Sequence, residues 1–138
     1  MTGTERLLSR RTTLGTALTP LDPELRRPRT GVAIVACMDA RLGVETMFGL
    51  RPGDAHVIRN AGGCVTGDTL HSLQLSQTRG GTREVLLVHH EDCAALSDPA
   101  TDLHVCMARL RKSEGLPHTD VMRGFIYTRS GALRELRP

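Results

Sequence analysis

The sequence predicts an α/β domain in which a mainly parallel β-sheet is flanked by helices. Three short apolar runs lack polar and apolar alternation, which is typical of strands buried on both faces. Helical segments with glycine and proline stop signals separate these runs, so right-handed crossovers between parallel strands are expected. At 138 residues the chain suits a single domain with its own core. Aromatic residues are only 2% of the chain, so that core is expected to be aliphatic.

The predicted elements follow one another in a regular order. Residues 1–15 are compatible with a helical arm, and the prolines of residues 19–30 predict an extended connector. We therefore interpret residues 1–29 as arm and connector and residues 30–138 as one α/β domain. The predicted elements of this domain are strands at 31–36, 55–59, 84–89, 122–129 and 132–136, and helices at 42–49, from Asp68 to Gly80, and near 102–113.

The charge pattern argues against nucleic-acid and membrane functions. The net charge is +3, Lys112 is the only lysine, and no basic run is interleaved with aromatic residues, so nucleic-acid binding is not expected. No run of 18 apolar residues is present, so no membrane span is expected. The remaining class of partner is a small-molecule substrate.

Four cysteines could form two disulfides, but a chain with this apolar pattern does not need them to fold. Residues 9–14 faintly resemble a twin-arginine export signal, yet Thr19 and Pro20 interrupt the apolar stretch that should follow. We therefore expect reduced thiols and a cytoplasmic protein.

Each of the three apolar strands runs into a polar or glycine-rich cluster at its carboxyl end. The clusters are Cys37-Met-Asp-Ala-Arg41, Asn60-Ala-Gly-Gly63 and His90-Glu-Asp-Cys93. Ligands bind beyond the carboxyl ends of the strands in open parallel sheets. The sequence therefore predicts that the three clusters face one site.

Two thiolates and one imidazole, from Cys37, Cys93 and His90, would leave a tetrahedral zinc ion one open position for water or substrate. Taken alone, a cysteine such as Cys37 at the end of a buried strand is more often a small apolar filler than a metal ligand. Asp39 and Arg41 follow it at intervals of two, so in extended chain the three side chains point to one side. The charged pair is either a salt bridge that anchors the loop or part of a catalytic site.

These motifs, in this order on successive strands, resemble the β-class carbonic anhydrases, specifically the short bacterial kind. The motifs that carry the resemblance are Cys37 to Arg41, Arg59 to Gly62 and His90-x-x-Cys93, with a weaker echo at 123–127 and 131–133. The resemblance implies a β-carbonic anhydrase-like fold. It also implies a zinc lyase of the carbonic anhydrase (carbonate dehydratase) type and a homodimer or higher homo-oligomer.

The resemblance further implies site residues and a reaction. Zinc would be held by Cys37, His90 and Cys93, and a metal-bound hydroxide would convert carbon dioxide to bicarbonate. Asp39 would accept a hydrogen bond at the open position, with Arg41 holding its carboxylate away from the metal. Asn60, Ala61 and Gly62 are predicted to line the substrate, although a plain strand-to-helix loop is an equally good interpretation of that segment.

The sequence departs from the family at three places that bear on the substrate. Ala94 replaces the usual glycine after the second zinc cysteine, and no glutamine precedes the first strand, because the only glutamines are Gln74 and Gln77. The segment between Cys93 and the next helix is also shorter than in relatives. Two alternatives therefore stay open. One is a zinc hydrolase or lyase of the same fold acting on carbon disulfide, carbonyl sulfide or a larger metabolite, and the other is a non-enzymatic zinc-binding regulatory domain.

Overall fold

The computed structural model describes residues 1–13 and 19–137, apart from the side chains of Thr12 and Thr13. Residues 14 and 15 of the predicted arm lie outside that description. The helices are α1 (Gly3–Thr13), α2 (Val44–Phe48), α3 (Gly67–Thr78) and α4 (Pro99–Arg111). The strands are β1 (Val32–Cys37), β2 (Ala55–Asn60), β3 (Glu84–His90), β4 (Val121–Tyr127) and β5 (Leu133–Leu136).

The five strands form one sheet in the order β2-β1-β3-β4-β5. Strands β2, β1, β3 and β4 are parallel, and β5 pairs antiparallel with β4. The predicted α/β fold with a parallel-core sheet is therefore confirmed. In β1 the burial is nearly continuous, as expected for a central strand covered on both faces.

The two faces of the sheet carry separate apolar cores. Successive residues of β1 point alternately into the two cores. Ala33 and Val35 pack in the core that contains α3 and α4, whereas Ile34 and Ala36 pack in the core that contains α2. A site at the carboxyl ends of β1 and β3 therefore has a rigid scaffold behind it on either face.

Several element boundaries differ from the prediction because local hydrogen bonds decide them. The Thr66 side chain, rather than Asp68, caps α3 by accepting from the Thr69 backbone N–H, and Asp68 lies in the first turn. Helix α4 begins earlier than expected, since Asp98 caps it and a proline occupies the first helical turn. The connector includes a short 3₁₀ helix at Pro23–Arg26.

The described side chains of helix α1 are not buried in the domain core. They are all exposed, including Leu7 at 63% and Leu8 at 55%. Within the described ranges 1–13 and 19–137, no helix is long and apolar enough to cross a membrane.

Candidate active site

The carboxyl ends of β1 and β3 bring two cysteines and a histidine together. The ligand-type atoms of Cys37, His90 and Cys93 all lie within 4.8 Å of one another. Cys37 Sγ and Cys93 Sγ are 4.0 Å apart. Two sulfurs bound to one tetrahedral zinc at 2.3 Å would be about 3.8 Å apart, so this spacing suits such an ion.

The hydrogen bonding of His90 also suits a metal. Its Nδ1 lies 2.6 Å from the Glu91 carbonyl oxygen, which fixes Nδ1 as the protonated nitrogen. Its Nε2 is buried and has no hydrogen-bond partner among the described residues. Metal-binding histidines commonly donate a hydrogen bond from one ring nitrogen, which orients the other ring nitrogen towards the metal. In His90, Nδ1 makes the hydrogen bond and the unpartnered Nε2 lies beside the two thiols. The donor set therefore fits a zinc ion, which these residues could hold with one position open.

Asp39 and Arg41 form a close ion pair next to this cluster. Arg41 Nη2 donates to Asp39 Oδ2 at 2.8 Å and Arg41 Nε donates to Oδ1 at 3.0 Å, while the Arg41 backbone N–H also donates to Oδ1 at 2.8 Å. These hydrogen bonds hold the pKa of the Asp39 carboxyl well below its usual value. Asp39 Oδ2 lies 3.8 Å from His90 Nε2. A carboxylate that stays ionised thus borders the metal-ligand cluster.

Asp92 completes the network, although nothing in its sequence context indicates a role. Arg41 Nη1 donates to Asp92 Oδ2 at 3.0 Å, and Arg41 Nη2 donates to the Asp92 carbonyl at 3.0 Å. The contacts with the two carboxylates raise the pKa of Arg41. Asp92 has a φ of 55°, which few residues other than glycine adopt. Arg41 therefore ties the loop after β1 to the turn that carries Cys93.

Arg59 is a second residue whose contacts were not foreseen, although it lies in the motif at the end of β2. Its guanidinium donates to the Cys37 carbonyl at 3.0 Å and 2.7 Å, and to the Asp39 carbonyl at 2.9 Å. The sequence feature that could have indicated these contacts is the position of Arg59, a charged residue near the carboxyl end of a predicted strand. These bonds hold the backbone that carries Cys37 and Asp39.

An open, mostly apolar pocket of about 610 Å³ adjoins the cluster. Ala61 and Gly62 line it together with residues 37–41 and 93–95. Asn60 is not among the lining residues: its Nδ2 donates to the Cys64 carbonyl at 2.8 Å and to Thr69 Oγ1 at 3.0 Å. Asn60 thus ties the loop to α3, whereas the two residues after it border the pocket.

The sequence model of one protein family, described as carbonic anhydrase, matches residues 32–114. The chain is 57% identical over 70 residues to β-carbonic anhydrase 1 of Mycobacterium tuberculosis, covering 51% of this chain and 43% of that protein. It is 38% identical over 88 residues to carbon disulfide hydrolase of Acidianus sp., covering 64% of this chain and 41% of that protein. The chain thus spans less than half the length of these curated relatives.

Solved structures share the fold over nearly the whole chain. Carbonic anhydrase from Streptococcus mutans superimposes with a TM-score of 0.86 at 31% identity, covering 99% of each chain. One of two tetrameric β-carbonic anhydrases from Sordaria macrospora superimposes with a TM-score of 0.71 at 14% identity, covering 98% of this chain and 92% of that one. Oligomers therefore occur among proteins of this fold.

Proposed function

The chain belongs to the β-class carbonic anhydrase family, a family of metal-dependent lyases, and from this premise we propose that it binds zinc and hydrates carbon dioxide to bicarbonate. The observation that carries the proposal is the meeting of Cys37, Cys93 and the unpartnered His90 Nε2 beside an ionised carboxylate. Three protein ligands suit a catalytic site, whereas a structural zinc site normally has four. This favours an enzyme over a purely regulatory zinc domain.

When bound, zinc supplies Lewis-acid chemistry that makes water a nucleophile near neutral pH. The residues of this chain then have distinct tasks. Cys37, Cys93 and His90 Nε2 bind the ion, and the hydrogen bond from His90 Nδ1 to the Glu91 carbonyl keeps the imidazole in the correct tautomer.

Asp39 is proposed to accept a hydrogen bond from the attacking water at its carboxylate, which orients that water. Both of its oxygens already accept hydrogen bonds from Arg41, so the carboxylate is fixed in orientation and stays ionised. Arg59 holds the backbone on either side of Met38, which positions Cys37 and Asp39 relative to each other. Arg41 and Arg59 are therefore positioning residues.

The apolar pocket beside Ala61, Gly62 and Cys93 is proposed to hold the substrate. Carbon dioxide has few polar groups, so an apolar surface next to the reacting atoms is the environment that suits it. The Asn60 side chain supports this surface from behind through its bonds to the Cys64 carbonyl and Thr69.

Carbon disulfide is a second candidate substrate. The chain is similar to carbon disulfide hydrolase, and its pocket is open because only residues 94–98 separate Cys93 from α4. An open pocket admits water and molecules larger than carbon dioxide. We therefore expect this chain to hydrate carbon dioxide more slowly than other members of the family do. Carbonyl sulfide and larger carbonyl-type metabolites fit by the same reasoning.

Stopped-flow hydration of carbon dioxide by the zinc-loaded protein tests the proposal, in parallel with release of hydrogen sulfide from carbon disulfide. We expect a kcat/KM for carbon dioxide below about 10⁷ M⁻¹s⁻¹, which is under the diffusional ceiling. Replacing Asp39 by Asn preserves the shape of the side chain but removes the charged hydrogen-bond acceptor that orients the water, and it is expected to lower kcat/KM by about 10²-fold.

The two substrates give distinguishable outcomes. A kcat/KM for carbon dioxide at or above about 10⁷ M⁻¹s⁻¹ would contradict the argument from the open pocket. Turnover of neither substrate by zinc-loaded protein would contradict the proposed function. Equal rates for wild type and Asp39→Asn would remove Asp39 from the mechanism.

We also propose a homodimer in which α1 packs on the partner. An isolated helix of 11 residues is marginal in water, and α1 exposes both Leu7 and Leu8. Static light scattering should therefore give a dimer for the full chain and a smaller mass for a chain that starts at Thr30. An unchanged dimer without residues 1–29 would show that the arm is dispensable.

The proposed compartment is the cytoplasm. The four cysteines are all free thiols, and free thiols persist in reducing compartments. Recovery of the four thiols in reduced form from intact cells would agree with this location.

A further inference from the structure

Helix α4 makes three polar contacts with the loop that follows β2. Arg109 Nη1 donates to the Val65 carbonyl oxygen at 2.6 Å, and the Val65 backbone N–H donates to Cys106 Sγ at 3.4 Å. The Cys64 thiol donates to Asp102 Oδ2 at 3.6 Å. The three residues of α4 follow one another at intervals of four and three, so they lie on one face of the helix. That face therefore holds two successive residues of the loop.

Asp102 also joins the loop to the end of β3. His89 Nε2 lies 2.7 Å from Asp102 Oδ2, and the Cys106 thiol donates to the same oxygen at 3.4 Å. Burial raises the pKa of Cys64 to about 11 and that of Cys106 to about 12, so both thiols keep their protons and act as donors. One carboxylate oxygen thus receives hydrogen bonds from β3, from α4 and from the loop.

The held residues are in direct contact with the wall of the apolar pocket. Ala61 and Gly62 border that pocket. A Cβ built at Gly62 would lie 2.9 Å from Cys64 Sγ and 3.0 Å from Leu96 Cγ, so both side chains pack against the Gly62 backbone. The position of the Cys64 side chain, which Asp102 fixes, therefore limits where Gly62 can lie.

The contact of Arg109 is more specific than its place in the helix requires. Arg109 and Arg111 both lie in the last turn of α4, where any positive charge is favourable. Arg111 is exposed and makes no polar contact within the described part of the chain. Arg109 instead donates to the carbonyl of Val65, a residue that is only 3% exposed. Hydrogen bonds from a charged donor are about twice as strong as neutral ones.

We propose that Arg109 and Asp102 are positioning residues that set the wall of the substrate pocket at Ala61 and Gly62. The inference rests on the proposed function, because that pocket is the proposed substrate site. The proposed zinc ligands lie elsewhere, at the ends of β1 and β3 and in the turn after β3, so the metal should stay bound when either contact is lost. A wall contacts the substrate before and during the reaction alike, so its displacement raises KM and leaves kcat nearly unchanged.

Dehydration of bicarbonate by the zinc-loaded full chain tests the proposal, since bicarbonate is soluble enough to saturate the site. We expect Arg109→Ala to raise KM by about 5-fold or more with kcat within about 2-fold of wild type. Arg109→Lys keeps a cationic donor and should bring KM back to within about 2-fold of wild type. Asp102→Asn, which preserves side-chain shape, should also raise KM. Arg111→Ala is the matched control and should leave KM unchanged.

Two further measurements separate this proposal from the proposed function. Zinc content should equal that of wild type in Arg109→Ala, and amide hydrogen exchange at Val65 and Thr66 should be faster. An unchanged KM in both Arg109→Ala and Asp102→Asn, an equal rise in Arg111→Ala, or loss of zinc in Arg109→Ala would overturn the positioning roles. A zinc-loaded wild type without turnover would contradict the proposed function. In that case unchanged exchange at Val65 and Thr66 would still overturn the hold of α4 on the loop.

Discussion

Replacing Cys93 with alanine is expected to remove one zinc per chain and to reduce turnover at least about 10³-fold, because the metal provides most of an acceleration that exceeds 10⁶-fold in typical enzymes. The substitution leaves only Cys37 and His90 of the three proposed zinc ligands. Two ligands cannot hold the ion against water as three can. The backbone should tolerate the change, since Cys93 is only partly buried and lies in a turn outside helix and strand.

Stripping and reloading wild type with zinc provides the control for Cys93→Ala. Activity should disappear with a chelator and return with zinc in wild type, whereas zinc should restore nothing in the variant. Circular dichroism verifies that the variant is folded. An unchanged zinc count with full activity would exclude Cys93 as a ligand.

Replacing Gly63 with alanine is expected to destabilise the domain by about 2–5 kcal/mol, the sum of a left-handed backbone and overpacking. Gly63 has a φ of 68°, and a Cβ built there would lie 2.9 Å from Cys37 N, 3.0 Å from Ala36 C and 3.1 Å from Val88 O. All three atoms belong to the backbone of the two central strands, so none can rotate away as a side chain would.

Urea unfolding of wild type and Gly63→Ala measures this loss. Gly67→Ala is the matched control, because a Cβ at Gly67 meets nothing within 4 Å and its position at the start of α3 suits alanine. We expect the control to remain within about 1 kcal/mol of wild type. Equal stability of the two variants would show that the loop can shift away from β1.

The sequence predicted the strands well because each is an apolar run that a parallel sheet buries on both faces. It predicted the meeting of Cys37, His90 and Cys93 because the ends of neighbouring parallel strands share an edge. The residues at which the helices begin were less predictable. Thr66 and Asp68 are both good helix caps, and only the loop geometry decides that the threonine accepts the hydrogen bond.

Contacts between distant segments account for what the sequence could not predict. Cys64 and Asp102 are 38 residues apart, and nothing in their spacing indicates that the packing of α4 brings them together. Asp92 was visible as a polar residue near Cys93, but its bond to Arg41 depends on a backbone with positive φ. Pairing of this kind follows from tertiary structure rather than from local pattern.

The short segment at residues 94–98 makes this fold a scaffold for engineering. It joins the turn at Cys93 to α4 without belonging to a helix or strand, and it borders the open pocket. Lengthening a surface loop costs little free energy, roughly 0.6 kcal/mol for each doubling of its length. Covers of graded length could therefore be inserted here to select for substrate size, with the ligand cluster and the sheet left unchanged.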